Sequence, residues 1–90
     1  MKRFTVTWRS EVRDNLAELT LAHWGTELGR QISDAANQID RLLAADPLGV
    51  GTPLAANVRL LAVNSLAVSY AVYADDCMVV LLGYSLLVSN

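Results

Sequence analysis

The stretch from Asn57 to Leu87 constrains the fold more than any other part of the chain. It holds three apolar runs, Val58–Val63, Leu66–Tyr73 and Cys77–Leu82, separated by Asn64-Ser65 and by a second break at Asp75-Asp76. Val, Leu and Tyr suit a pleated, half-buried surface, whereas Asn, Ser and Asp supply turn chemistry. Runs of this length with such short breaks predict an antiparallel meander joined by tight hairpins. The rest of the chain then has to cover that sheet.

Upstream, Phe4-Thr5-Val6-Thr7-Trp8 alternates large apolar residues with threonine, a period-two pattern that predicts a short strand joining the same sheet. Ser10 is positioned to cap a helix, with Glu11 and Asp14 in its first turn. Val12, Leu16 and Leu19 form the apolar stripe of that helix, and Leu21 and Trp24 extend it sideways. Gly25 stops the helix and Thr26 caps a second one, whose stripe reads Leu28, Ile32, Ala35, Ile39 and Leu42. Asp46-Pro47 ends it, because the residue before proline avoids the helical region. Leu48–Ala56, with two glycines, Pro53 and no charge, reads as a loop. The fold class is therefore α+β in a single domain spanning residues 1–90. Its order is β-α-α-β-β-β, with an N-terminal strand, an antiparallel helix pair packed on one face of the sheet, and a three-stranded meander.

Composition narrows the function classes. A domain of 90 residues buries only a modest core, yet 53% of this one is hydrophobic and its mean hydropathy is +0.33. That excess predicts apolar surface covered by another chain. A net charge of −2 gives no global field that would draw nucleic acid. The one cysteine cannot build an internal disulfide and fits a reducing, cytoplasmic setting. Charged residues from Arg9 onward interrupt any secretory core near Lys2 and Arg3. The uncharged stretches Leu60–Ala74 and Cys77–Asn90 fall short of the ~18 residues of a spanning helix, so membrane insertion is not expected.

Certain residues, in this order, resemble the RelE/ParE superfamily of type II toxin–antitoxin toxins. Val6-Thr7-Trp8 is similar to the family's first strand, and Ala35–Leu43 followed by Asp46-Pro47 to the end of its second helix. Gly51 with Val58-Arg59-Leu60-Leu61 resembles its loop and second strand, and Leu66–Val72 its third. The resemblance covers almost the whole chain. It implies a cytoplasmic bacterial toxin neutralised by a cognate antitoxin, of the kind linked to plasmid stabilisation. The family's messenger-RNA-cleaving members carry several basic residues on the sheet and often a tyrosine or histidine near the C-terminus. Here the arginine usual early in the third strand is Ala67, and Arg59 is the only cation after Arg41. Cleavage requires activation of a 2′-oxygen and stabilisation of the developing phosphorane, and phosphate binding requires cations. The sequence is therefore placed nearer the ParE-like branch, which binds DNA gyrase, than the ribosome-dependent nucleases. An enzyme remains the alternative, as does a degenerate member kept only as an interaction module.

Arg59 has two readings: contact with a target or an antitoxin carboxylate, or an ion pair with Asp40 or Asp46, to which arginine's fixed fork is suited. Tyr84 has the position of the family's C-terminal tyrosine, although a tyrosine ending a strand more often packs its ring and wets its hydroxyl. These two are the only candidate catalytic residues. Tyr70 is expected in the core. His23 lacks a partner at a recognisable spacing and reads as a surface residue. Cys77 reads as a small hydrophobe, with no metal set and no cofactor site around it. Arg3, Arg9 and Arg13 are interleaved with Glu11, Asp14 and Glu18, a solvated mixed face and not a specific DNA-binding patch.

Both registers of the meander are apolar. One carries Val58, Leu60 and Ala62 with Val68, Tyr70 and Val72; the other carries Arg59, Leu61 and Val63 with Ala67, Ser69, Ala71 and Tyr73. The last strand has Val79 and Leu81 in one register and Met78, Val80 and Leu82 in the other. Helices cover only one face, and the other should alternate to polar residues if it faces water. It does not, so a second chain, either antitoxin, target or another copy, is expected on Leu61, Val63, Met78, Val80 and Leu82, with Arg59 beside them.

Overall fold

The computed structural model describes residues 3–87. Strand β1 (Thr5–Trp8) leads into helices α1 (Ser10–Ala22) and α2 (Glu27–Ala45). Four strands follow: β2 (Thr52–Ala55), β3 (Val58–Val63), β4 (Leu66–Tyr73) and β5 (Met78–Leu86). They form one sheet in the order β1-β5-β4-β3-β2, in which β1 runs parallel to β5 and every other pairing is antiparallel. Both helices pack on one face, giving the expected two-layer α+β arrangement.

The Leu48–Ala56 segment departs from expectation. Thr52–Ala55 is a strand, paired antiparallel with β3 through Thr52–Leu60, Pro53–Arg59 and Ala55–Val58. Its glycines and proline carry loop signals, and a four-residue strand has too little periodicity to override them. Pro53 is tolerated because β2 is an edge, where one side of the backbone has no ladder to complete.

Helix starts also differ in kind. Thr26 caps α2 as expected, its hydroxyl accepting from the Gly29 amide at 3.1 Å after Gly25 turns the chain at φ +80°. For α1 the cap position is Arg9, which contributes no side-chain bond, and Ser10 is already helical. On α2 the buried stripe is Ile32, Ala35, Ile39 and Leu43; Leu42, placed in the stripe by the sequence reading, is 38% exposed. The step of four from 39 to 43 stays closer to the 3.6-residue period, of which a step of three falls further short. Leu21 and Trp24 do not extend the α1 stripe, since Val12, Leu16 and half-buried Leu19 alone turn inward.

The core lies between the helices and the inner sheet face. Ile32, Ile39 and Leu43 meet Leu61, Leu66, Val68, Tyr70, Val72, Val79 and Leu81. Each such side chain contributes roughly 1.5–3 kcal/mol through burial. Two polar contacts fix the layers in register: Trp8 Nε1 donates to Asp40 at 2.7 Å, and Ser65 Oγ donates to Gln31 Oε1 at 3.0 Å.

Candidate functional site

The hairpin at Asn64-Ser65 decides which residues face outward. With two residues in the loop, Val63 pairs with Leu66, and the ladder continues Leu61–Val68 and Arg59–Tyr70. Directly paired residues share a face. Arg59, Leu61 and Val63 therefore stand on the helix side with Leu66, Val68, Tyr70 and Val72. This overturns the placement of Leu61 and Val63 on the exposed face: Leu61 is 9% exposed in the core, and Val63 packs against it. The two-residue hairpin was a sufficient signal, because loop length fixes register.

A β-bulge accounts for the doubly apolar last strand. Tyr70 pairs with Leu81, but the preceding residue Ser69 pairs with Gly83, leaving Leu82 as the extra residue. Val79 and Leu81 face inward before the bulge; Tyr84 and Leu86, paired with Val68 and Leu66, face inward after it. Each half of β5 alternates correctly, and the bulge shifts the phase between them.

The open face is then defined. Strand β3 contributes Val58, Leu60 and Ala62; β4 contributes Ala67, Ser69, Ala71 and Tyr73; β5 contributes Met78, Val80, Gly83 and Ser85, with bulged Leu82 at the phase change. Leu60, Tyr73 and Met78 are 39%, 45% and 38% exposed, and Val80 and Leu82 are half-buried. Small side chains on central β4 lie beside Leu60 and Val58 of β3 and beside Gly83 and Ser85 of β5, and together they leave a shallow trough in the face. At one point Leu60, Ala67, Ser69, Gly83, Tyr84 and Ser85 surround a depression of about 190 Å³. Leu60, Tyr73 and the small residues of the trough were not singled out by sequence reasoning, because they follow from the register.

Electrostatically, this face is blank. Among all residues of the five strands only Arg59 is charged, and it lies on the other side. Asp75 and Asp76 are exposed in the turn that joins β4 to β5.

Arg59 is not paired with Asp40 or Asp46. Its Nε donates to the Val50 carbonyl at 3.3 Å and its Nη2 to the Gly51 carbonyl at 3.2 Å. Asp40 instead accepts from Trp8, and the Asp46 carboxylate accepts from the Gly49 amide at 3.0 Å. Beside Arg59, the fully buried Tyr70 reaches the same loop, its hydroxyl 2.9 Å from the Pro47 carbonyl and 3.0 Å from that of Val50. Burial pushes the Tyr70 phenol above its usual pKa, against the opposing pull of the nearby guanidinium. Tyr84 lies on β5, with buried Val68 and Tyr70 of β4 between it and Arg59. The structure does not bring the two candidate catalytic residues together.

No protein-family profile matches this sequence, and no curated protein matches it significantly. Among solved structures, a chain of the toxin–antitoxin complex RelBE2 from Mycobacterium tuberculosis superposes with a TM-score of 0.75. The match covers 96% of this chain and 93% of that one, at 21% sequence identity. The two chains share one fold. The likeness spans the helix pair and the sheet together, so the scaffold presenting the uncharged face is that of a chain found in a toxin–antitoxin assembly. Among the described residues, no helix is long and apolar enough to cross a membrane, and no cluster of three or more metal-ligating side chains occurs.

Proposed function

We propose that this protein is the toxin component of a RelE/ParE-like type II toxin–antitoxin system, that it acts by binding a protein target such as DNA gyrase, and that a cognate antitoxin neutralises it in the cytoplasm. The observation that carries this reading is the open sheet face, broad, apolar and without a charged strand residue, on a fold shared with a chain of RelBE2. A phosphodiester backbone needs cations to replace its counterions, and this face offers none. A protein surface gains from apolar burial at roughly 25 cal/mol per Å², and a face of this kind suits it. Met78, Val80 and Leu82, with Leu60 and Tyr73, are the proposed contact residues. Arg59 is withdrawn from the contact, because both its bonds hold an internal loop.

The test is expression in a bacterial host with and without a co-expressed partner from the neighbouring reading frame. The expected result is growth arrest relieved by the partner, with intact messenger RNA in a ribosome-containing extract. Site-specific cuts in that extract would reject the binding mechanism and restore the nuclease reading.

A further inference from the structure

The two edges of the sheet are finished in different ways. Along β1 the edge is tied to α2: the Phe4 amide donates to the Ala44 carbonyl at 2.9 Å, and Trp8 Nε1 donates to Asp40. Along β2 the strand is bare. All of Thr52–Ala55 is exposed, Leu54 by 57%, and no residue from Pro47 to Val58 carries a charge. An exposed, apolar, uncharged edge is a template on which a strand of another chain can pair.

The register shows what stands in the way. The Val72 amide donates to the Asn57 carbonyl at 2.9 Å. Bonded and non-bonded pairs alternate along an antiparallel ladder, so the pair two positions further on, Arg59–Tyr70, is also bonded. Arg59 therefore turns its N–H and C=O toward β4. Pro53, the partner of Arg59 on the other side, has its backbone nitrogen directed away from β3, at the open edge. A residue of any other type would present a free N–H at that point, and proline presents none. Leu54, next to it, is the extra residue of a bulge, without a partner of its own on β3.

We propose that Pro53 guards the β2 edge, keeping it from pairing with the β2 edge of a second copy. In a solution of the purified chain, copies of this chain are the only strands on offer, and with no charge along the edge they do not repel one another there. Two identical edges meeting about a two-fold axis would each lack the same donor, so the one proline acts twice. The guard is independent of the toxin reading and of the open sheet face.

Sedimentation over a concentration series tests it, with circular dichroism to check folding. The parent is the Val80→Asp variant, in which a charge on the open face suppresses association through that face. Adding Pro53→Thr should raise the association constant at least about tenfold, because the seam regains one backbone bond from each copy. Pro53→Ala, which restores the amide with a smaller side chain, should act in the same direction. Adding Leu54→Lys to either should return the chain to the parent's behaviour, since a lysine blocks an edge by charge. In the assembled Pro53→Thr variant, slowed hydrogen exchange should appear at residues 52–55. Folded Pro53 variants that associate no more than the parent, assembly indifferent to Leu54→Lys, or a parent already assembled and released by Leu54→Lys would each overturn the proposal. Failure of the toxin reading would show in growth and not in sedimentation.

Discussion

Tyr70 and Arg59 converge on one backbone oxygen, the Val50 carbonyl, at 3.0 Å from the phenol and 3.3 Å from the guanidinium Nε. They are direct neighbours across β3 and β4, and together they hold the 47–51 segment that delivers the chain to β2. An arginine that sequence reading treats as a candidate for target contact is thus bound to the protein's own backbone.

Arg59→Ala should therefore lower stability even though no carboxylate loses a partner. Hydrogen bonds from a charged donor contribute about 1.5–3 kcal/mol. Partial exposure places the expected loss near the lower end, about 1–2 kcal/mol. Urea titration measures it. An unchanged midpoint with lost partner binding would return Arg59 to the contact surface.

Tyr70 makes the stability of the fold depend on pH in the alkaline range. Its phenol is held above the usual pKa of about 10 by burial, so the folded state keeps its proton where the unfolded chain releases it. The resulting stability is fully present below pH about 10 and is lost as pH rises through the folded value. Wild type should lose stability more steeply than Tyr70→Phe above pH 10 in pH-dependent denaturation. At neutral pH, Tyr70→Phe should cost about 1–3 kcal/mol, because the Pro47 carbonyl loses the hydroxyl that donates to it while Val50 keeps Arg59.

Gly51 meets two constraints at once. Its φ is +74°, and a Cβ there would lie 2.7 Å from both the Leu60 carbonyl oxygen and the Tyr70 hydroxyl. Gly51→Ala should destabilise by more than the ~1 kcal/mol usual for a strained backbone alone, because a backbone oxygen has to move as well. Gly25→Ala is the control: its φ is +80° but a Cβ meets nothing within 4 Å, so thermal melts should show the smaller loss.

Leu61 and Val80 were grouped together in sequence as contact residues, and the structure separates their expected effects. Leu61→Ala should cost about 2–5 kcal/mol of stability, as for other buried leucines. Val80→Asp should change the isolated domain's stability much less, yet weaken binding of a co-expressed partner by at least about tenfold, since it buries a lone charge in an apolar contact. Pull-down alongside thermal melting distinguishes the two. Equal stability losses would mean that Val80 is core.

Much of the fold was legible in the chain because its signals are local. Thr26 after Gly25, the spacing of Ile32, Ala35 and Ile39, and Asn64-Ser65 between apolar runs each specify structure within a few residues. The candidate face was less legible. Arg59 and Leu61 were assigned outward because the alternation of β3 is ambiguous by itself, and only its pairing with β4 resolves it. β5 was ambiguous for another reason: its bulge at Leu82 shifts the alternation, so neither register is continuous in the sequence.

By itself the sequence determined the order and type of its main elements, a core built on a helix pair and a meander, and a sheet almost without charge. These follow from local propensity and from the hydrophobic period, which any chain carries in its own residues. Tertiary structure alone decided that Thr52–Ala55 is a strand, that Arg59 binds the Val50 and Gly51 carbonyls, and that Trp24 stays outside the core. Each depends on a partner remote in sequence: an edge that offers a free ladder, two carbonyls brought within 3.3 Å, and a helix pair whose buried stripe is already filled by Leu16 and Ile32.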